Sequence, residues 1–93
     1  MEDVLYISSL YDYYKGLFTD KQKSYFEDYY FDNLTMEEIA ENNNISKNAV
    51  SKTIIEVKEK LNEYENILHL LNNKKEIENI LSEDEIDKIK DYI

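Results

Sequence analysis

The residues best suited to chemistry in this sequence lie on one face of a predicted helix that begins after Ser46. That face carries two lysines, an asparagine, a serine and an isoleucine: Lys47, Asn48, Ser51, Lys52 and Ile55. An Asn side chain can form two hydrogen bonds with adenine, and a Lys side chain can reach guanine or a phosphate. The spacing therefore predicts a surface that contacts nucleic acid. The alternative is a solvated helix face with ordinary lysines.

Charge is distributed unevenly along the chain, which has 21 Asp and Glu against 11 Lys, no Arg and a formal net charge of −10. Residues 46–60 hold four Lys and two acidic residues. In contrast, residues 1–45 hold three Lys and ten acidic residues, and residues 61–93 hold four Lys and nine acidic residues. Binding to phosphates requires neutralising Lys or Arg side chains, so contact with nucleic acid is predicted to be weak and salt-sensitive. An acidic surface suits a basic protein partner at least as well.

Other kinds of chemistry have little support in the sequence. Cysteine is absent and His69 is the single histidine, so thiolate sites and histidine metal clusters are excluded. The many carboxylates fit a charged helical surface, so we predict no enzyme activity, no metal and no cofactor. Six tyrosines could stack on RNA bases, although their spacing requires several of them to lie in the core: Tyr11, Tyr13, Tyr14, Tyr25, Tyr29 and Tyr30.

The elements that must position the lysine-bearing face are predicted to be helices in a single domain over residues 1–93. Pro is absent and Gly occurs once, which disfavours hairpin turns and phosphate-binding loops and favours an all-α fold. Apolar residues at steps of three and four between Val4 and Phe18 predict a first helix that ends near Gly16. Thr19 and Gln22 form a capping-box pattern that starts a second helix, from Asp20 to about Phe31, with an aromatic core face.

Residues 34–61 match the pattern of a helix-turn-helix. Thr35 and Glu38 predict a capped short helix, Asn42–Asn44 a turn, and Ser46 the cap of the next helix. Five residues fall where the two helices would pack against each other: Ile39, Ala40, Ile45, Val50 and Ile54. A plain helical hairpin of the same geometry is the alternative.

The helix after Ser46 is predicted to continue to Asn72, because apolar residues follow a heptad pattern from Val50 to Leu71. The preceding helices can cover only its first half. We therefore predict a homodimer through the end of this helix or through the C-terminal tail of residues 74–93. The tail is predicted to form two short helices, with a capping-box pattern at Ser82 and Glu85. The predicted dimer seam consists of Leu61, Tyr64, Leu68 and Leu71.

The stretch from about Leu5 to Leu71 closely resembles the YlxM family of small bacterial helix-turn-helix proteins, which are similar in turn to the DNA-binding fourth region of sigma factors. The resemblance rests on Phe18–Gln22, on Tyr29 and Tyr30, on the Glu-Ile-Ala-Glu of residues 38–41, and on Ser46–Val50. Two positions depart from the expected pattern: Lys47 stands where relatives often have Arg, and Asn44 occupies a turn site that helix-turn-helix proteins often give to Gly.

The resemblance implies a regulator in the signal recognition particle pathway, with the particle's GTPase or its RNA as partner. The sequence itself predicts that the protein is cytoplasmic and non-enzymatic. A sequence-specific DNA-binding transcription regulator is the alternative, and an interaction adaptor using the heptad seam is a third. Apolar runs reach only two or three residues, so no membrane partner is expected.

Overall fold

The computed structural model describes residues 3–93, so the first two residues of the predicted 1–93 domain lie outside it. Its described part contains six α-helices and no strand, which confirms the all-α helix-turn-helix expectation. The helices are α1 (Val4–Tyr14), α2 (Asp20–Tyr30), α3 (Met36–Asn43), α4 (Lys47–Leu68), α5 (Leu70–Ile80) and α6 (Glu83–Ile89). Two 3-10 turns, Lys15–Leu17 and Lys90–Tyr92, follow α1 and α6.

Local capping signals start four of these helices where the sequence predicts. Thr19, Thr35 and Ser82 each accept a hydrogen bond from the third helical N–H, and Gln22, Glu38 and Glu85 reach back to the cap N–H. Ser46 caps α4 by accepting from the N–H of Ala49 at 3.1 Å. Each cap satisfies a backbone donor that the helix itself leaves unpaired.

The core is built from two adjoining clusters that follow each other along α4. The larger cluster joins α1, α2 and the second half of α4. The smaller one joins α2, α3 and the first half of α4, and holds Ile39, Ala40, Val50 and Ile54 with at most 7% of each residue exposed. The predicted packing residues of the helix-turn-helix thus lie inside, and the half-buried Ile45 packs against them.

The predicted continuous helix from Ser46 to Asn72 is wrong at its C-terminal end. The chain leaves α4 at Leu68, and His69 adopts a left-handed conformation, with φ 55° and ψ 27°, before α5 begins. The bend turns α5 back onto α1, where Leu71 joins the larger cluster. Apolar periodicity continues through this bend to the buried Leu71, so the pattern does not mark where α4 ends.

Among residues 3–93, no helix combines the length and the apolar content needed to cross a membrane.

Candidate nucleic-acid interface

A closely fixed turn sets the angle at which α4 leaves α3. Asn44 has φ 56° and donates its N–H to the Glu41 carbonyl, while Ile45 donates to the Ala40 carbonyl at 3.0 Å. These two bonds form a Schellman motif, which commonly ends a helix at a left-handed Gly or Asn. The Ile45 side chain and Ala40 belong to the same cluster, so the turn is held by backbone bonds and by apolar packing. The N-terminal half of α4 is therefore a rigid platform.

The structure places the five predicted contact residues on the outer side of this platform. Lys47, Asn48 and Lys52 are exposed, Ser51 is half-buried, and Ile55 has 49% of its surface exposed. Val50 and Ile54, on the opposite side of the same turns, have 0% and 2% exposed. The outer residues are brought together, but their environment differs from the one that the sequence suggested.

An open groove runs along this outer face and contains two carboxylates as well as the predicted residues. Its walls are Asn48, Ser51, Lys52, Ile55, Glu56 and Glu59. The Glu56 carboxylate also accepts a hydrogen bond from Gln22 Nε2 at 3.3 Å. One end of the face therefore carries negative charge, which opposes the approach of a phosphate backbone.

Lys47, at the N-terminal end of the face, is engaged within the protein. Its Nζ lies 2.8 Å from Glu37 Oε1 on α3. The hydrogen bond from Lys47 lowers the pKa of the Glu37 carboxyl, and the same bond raises the pKa of Lys47. Lys52, by contrast, forms no ion pair with any residue of the described range 3–93, which makes it the more available of the two lysines on this face.

The surface beside the N-terminal half of α4 is acidic at the start of α3. Glu37 and Glu38 occupy the first turn of α3. In helix-turn-helix complexes the first helix crosses the DNA backbone while the second enters the major groove. At that position the two carboxylates would repel a phosphate backbone.

The tyrosines offer only part of the predicted stacking surface. Tyr11, Tyr14 and Tyr25 have 1%, 1% and 5% of their surface exposed and belong to the core. Tyr13, Tyr29 and Tyr30 are half-buried and pack against the two clusters. Stacking of RNA bases on the first three is excluded in this fold. His69 is exposed at the α4–α5 bend and is remote in sequence from the face.

The predicted dimer seam is wrong for the two residues at its ends. Leu61 and Leu71 have 1% and 6% exposed because both lie in the larger cluster of their own chain. Tyr64 is half-buried against that cluster, and Leu68 alone remains substantially exposed, at 46%. The heptad stripe is satisfied mainly within one chain because α5 folds back onto α1.

Sequence reasoning missed the acidic neighbours of the candidate site. Glu37 lies ten positions before Lys47, and nothing in the local pattern pairs them. Glu56 and Glu59 continue the helical stripe of Lys52 and Ile55 at steps of three and four. That spacing was a usable signal for both.

The comparisons with known proteins all point to one family. A family model described as "Putative helix-turn-helix protein, YlxM / p13 like" (UPF0122) matches residues 1–92. A UPF0122 protein of Malacoplasma penetrans is 44% identical over 78 residues, which cover 81% of this chain and 73% of that protein. A UPF0122 protein of Lactococcus lactis is 43% identical over 67 residues, which cover 72% of this chain and 60% of that protein. A UPF0122 protein of Geobacillus kaustophilus is 36% identical over 93 residues, which cover 100% of this chain and 80% of that protein.

The aligned region thus spans less than two thirds of the L. lactis protein and more of the other two. The family predicted from residues 5–71 is confirmed, and the match extends beyond them in both directions. With the helix-turn-helix geometry and this match together, the chain belongs to the UPF0122 family of YlxM / p13-like helix-turn-helix proteins.

Proposed function

We propose that this protein is a non-enzymatic regulator that contacts nucleic acid weakly through the outer face of α4. The observation that carries the proposal is the exposure of Asn48 and Lys52 on a platform fixed by the buried Val50 and Ile54. Rigid backing of this kind keeps polar side chains at a constant register, which base and phosphate contacts require. Family membership supports the same kind of regulatory role.

The electrostatics of the face set the strength of the contact. Lys52 is unpaired within the described range, Lys47 is paired with Glu37, and Glu56 and Glu59 share the groove. With one or two phosphates neutralised, the slope of log K against log salt is expected to be only about −1 to −2 for a duplex. The contact is therefore expected at low salt and to be largely lost near physiological salt.

We place this regulator in the signal recognition particle pathway, with the particle's GTPase or its RNA as partner. The acidic excess outside residues 46–60 favours a basic protein surface as the main docking site, with α4 adding a nucleic-acid contact. The alternative is a sequence-specific transcription regulator. It would need a dimer that places two copies of the α4 face about 34 Å apart, in successive major grooves.

The test measures fluorescence anisotropy of a labelled DNA duplex and of the particle's RNA, at several salt concentrations. Lys52→Glu is expected to abolish low-salt binding of both because it reverses the most available cation of the face. Lys88→Glu in α6 is the matched control, with the same charge change on an exposed residue outside the face. Equal binding by the two variants would contradict the proposal.

The partner is identified in the same series by adding the particle's GTPase. If this protein retains the GTPase or the particle's RNA at physiological salt, the pathway assignment is supported. Retention of neither, together with tight binding to one duplex sequence, would favour the transcription regulator.

A further inference from the structure

The ion pair between Glu37 and Lys47 joins the N-terminal turns of the two helices of the motif. Glu37 lies in the first turn of α3, and Lys47 is the first residue of α4. Their charged atoms are 2.8 Å apart, which is a hydrogen-bond distance. The side chains are 64% and 58% exposed, so both also face solvent at the rim of the proposed interface.

This contact has two effects on an approaching phosphate. It occupies one of the three donors of the Lys47 ammonium and orients that group toward α3. It also places a carboxylate where the first helix of a docked helix-turn-helix crosses the backbone. Both effects act against phosphate binding.

We propose that Glu37 limits the affinity of the α4 face for phosphate by holding Lys47, whose ammonium engages a phosphate fully when this contact breaks. The inference rests on the proposed function and adds to it the residue that limits binding strength. Because exposed ion pairs contribute little to stability, the contact opens readily. Glu37 therefore tunes the affinity without abolishing binding.

Neutralising Glu37 tests the proposal directly. Glu37→Gln is expected to tighten low-salt binding of a DNA duplex by about threefold, since an exposed pair of this kind corresponds to a several-fold effect at most. The slope of log K against log salt should become steeper by about 0.9, because one more phosphate is neutralised. Circular dichroism checks that the variant is folded.

The matched control is Glu41→Gln, which removes the same charge from α3. Glu41 is exposed, and no ion pair connects it to any residue within 3–93. For this variant we expect a small gain in duplex affinity with no change in the slope of log K against log salt, because it reduces repulsion but releases no lysine. An equal change of slope in both variants would overturn the proposal.

A double-mutant cycle separates the pair from general repulsion. In a Lys47→Gln background, Glu37→Gln is expected to lose most of its effect, since no ammonium remains to be released. An undiminished effect would show that Glu37 does not act through Lys47. If the wild type binds the duplex and Glu37→Gln shows no gain in affinity, this inference alone is overturned. If none of these proteins binds at low salt, the proposed function is overturned as well.

Discussion

At the scale of single residues, the Glu65 carboxylate joins α1, α4 and α5. Its Oε1 accepts from the Tyr14 hydroxyl at 2.7 Å and from the Leu71 N–H at 3.1 Å, and its Oε2 accepts from the Asn72 N–H at 3.0 Å. The Tyr14 hydroxyl accepts in turn from the Leu70 N–H at 3.2 Å. Three N–H groups at the start of α5, which the helix itself leaves unpaired, are thus satisfied by two side chains.

The charge state of Glu65 links this network to pH. Burial raises the pKa of the carboxyl, since only 8% of the residue is exposed, but hydrogen bonds from Tyr14, Leu71 and Asn72 outweigh burial and hold the pKa below its ordinary value. Burial, followed by the bond to Glu65, raises the pKa of Tyr14 to about 12. The ionised Glu65 and the neutral Tyr14 are therefore the native forms.

We expect Glu65→Gln to lower the free energy of unfolding at neutral pH by about 1–3 kcal/mol, because an amide cannot accept all three bonds. The folded-state pKa is depressed, so the stabilisation is complete above the unfolded-state pKa, about 4.3, and is lost as pH falls through the folded-state value. Urea unfolding should show the difference from wild type shrinking with acid. Glu63→Gln, an exposed neighbour on α4, is the control. A difference that does not change with pH would contradict this account.

At the scale of elements, the break between α4 and α5 depends on one residue with an unusual backbone. His69 has φ 55° and donates its N–H to the Glu65 carbonyl at 2.9 Å, which ends α4 in a left-handed cap. Such a conformation strains a residue that carries a Cβ and suits glycine. Asn44 has the same conformation at the α3–α4 turn, and Asn tolerates it better than most residues.

We expect His69→Gly to raise the free energy of unfolding by about 0.5 kcal/mol, because relief of strain exceeds the entropy that glycine adds to the unfolded chain. The matched control is Asn66→Gly, three residues earlier and inside α4, which should lower the free energy of unfolding by about 0.3 kcal/mol. Thermal unfolding followed by circular dichroism measures both. A loss of stability in His69→Gly would show that the side chain contributes more than the strain costs.

At the scale of the whole molecule, the chain is elongated. Its radius of gyration is 15.9 Å and its extents are 49 × 27 × 24 Å, whereas a compact domain of this length has a radius of about 12 Å. Several apolar side chains near the α4–α5 bend and at the end of α5 are exposed: Ile67 (67%), Leu68 (46%), Leu70 (44%) and Ile80 (79%). They remain candidates for self-association now that Leu61 and Leu71 are excluded.

For the predicted homodimer, light scattering at tens of micromolar should give twice the mass of the chain. Ile67→Glu is expected to reduce that mass to one chain without loss of helix signal, since it places a charge on the exposed apolar surface. Leu5→Glu, at a residue with 82% exposed on α1, is the control and should leave the mass unchanged. A wild-type mass equal to one chain would contradict the homodimer.

Features set by neighbours along the chain were predictable from the sequence. The caps at Thr19, Thr35 and Ser82 each need two residues three positions apart, and the α3–α4 packing needs apolar residues at helical spacing. The outer face of α4 follows from the same periodicity, because the buried Val50 and Ile54 leave Asn48 and Lys52 outside. These features depend on local geometry that one helix and its cap define.

Only the tertiary structure decided the features that join distant parts of the chain. Glu65 meets Tyr14 across 51 positions and stabilises a bend that apolar periodicity does not mark. That bend places Leu71 in the core of its own chain, although the heptad pattern was equally compatible with packing of Leu71 against a second chain. Glu37 meets Lys47 because the α3–α4 turn brings two helix ends together. The amino-acid sequence determined which side chains lie outside on each helix, while three-dimensional packing decided which of them are already engaged.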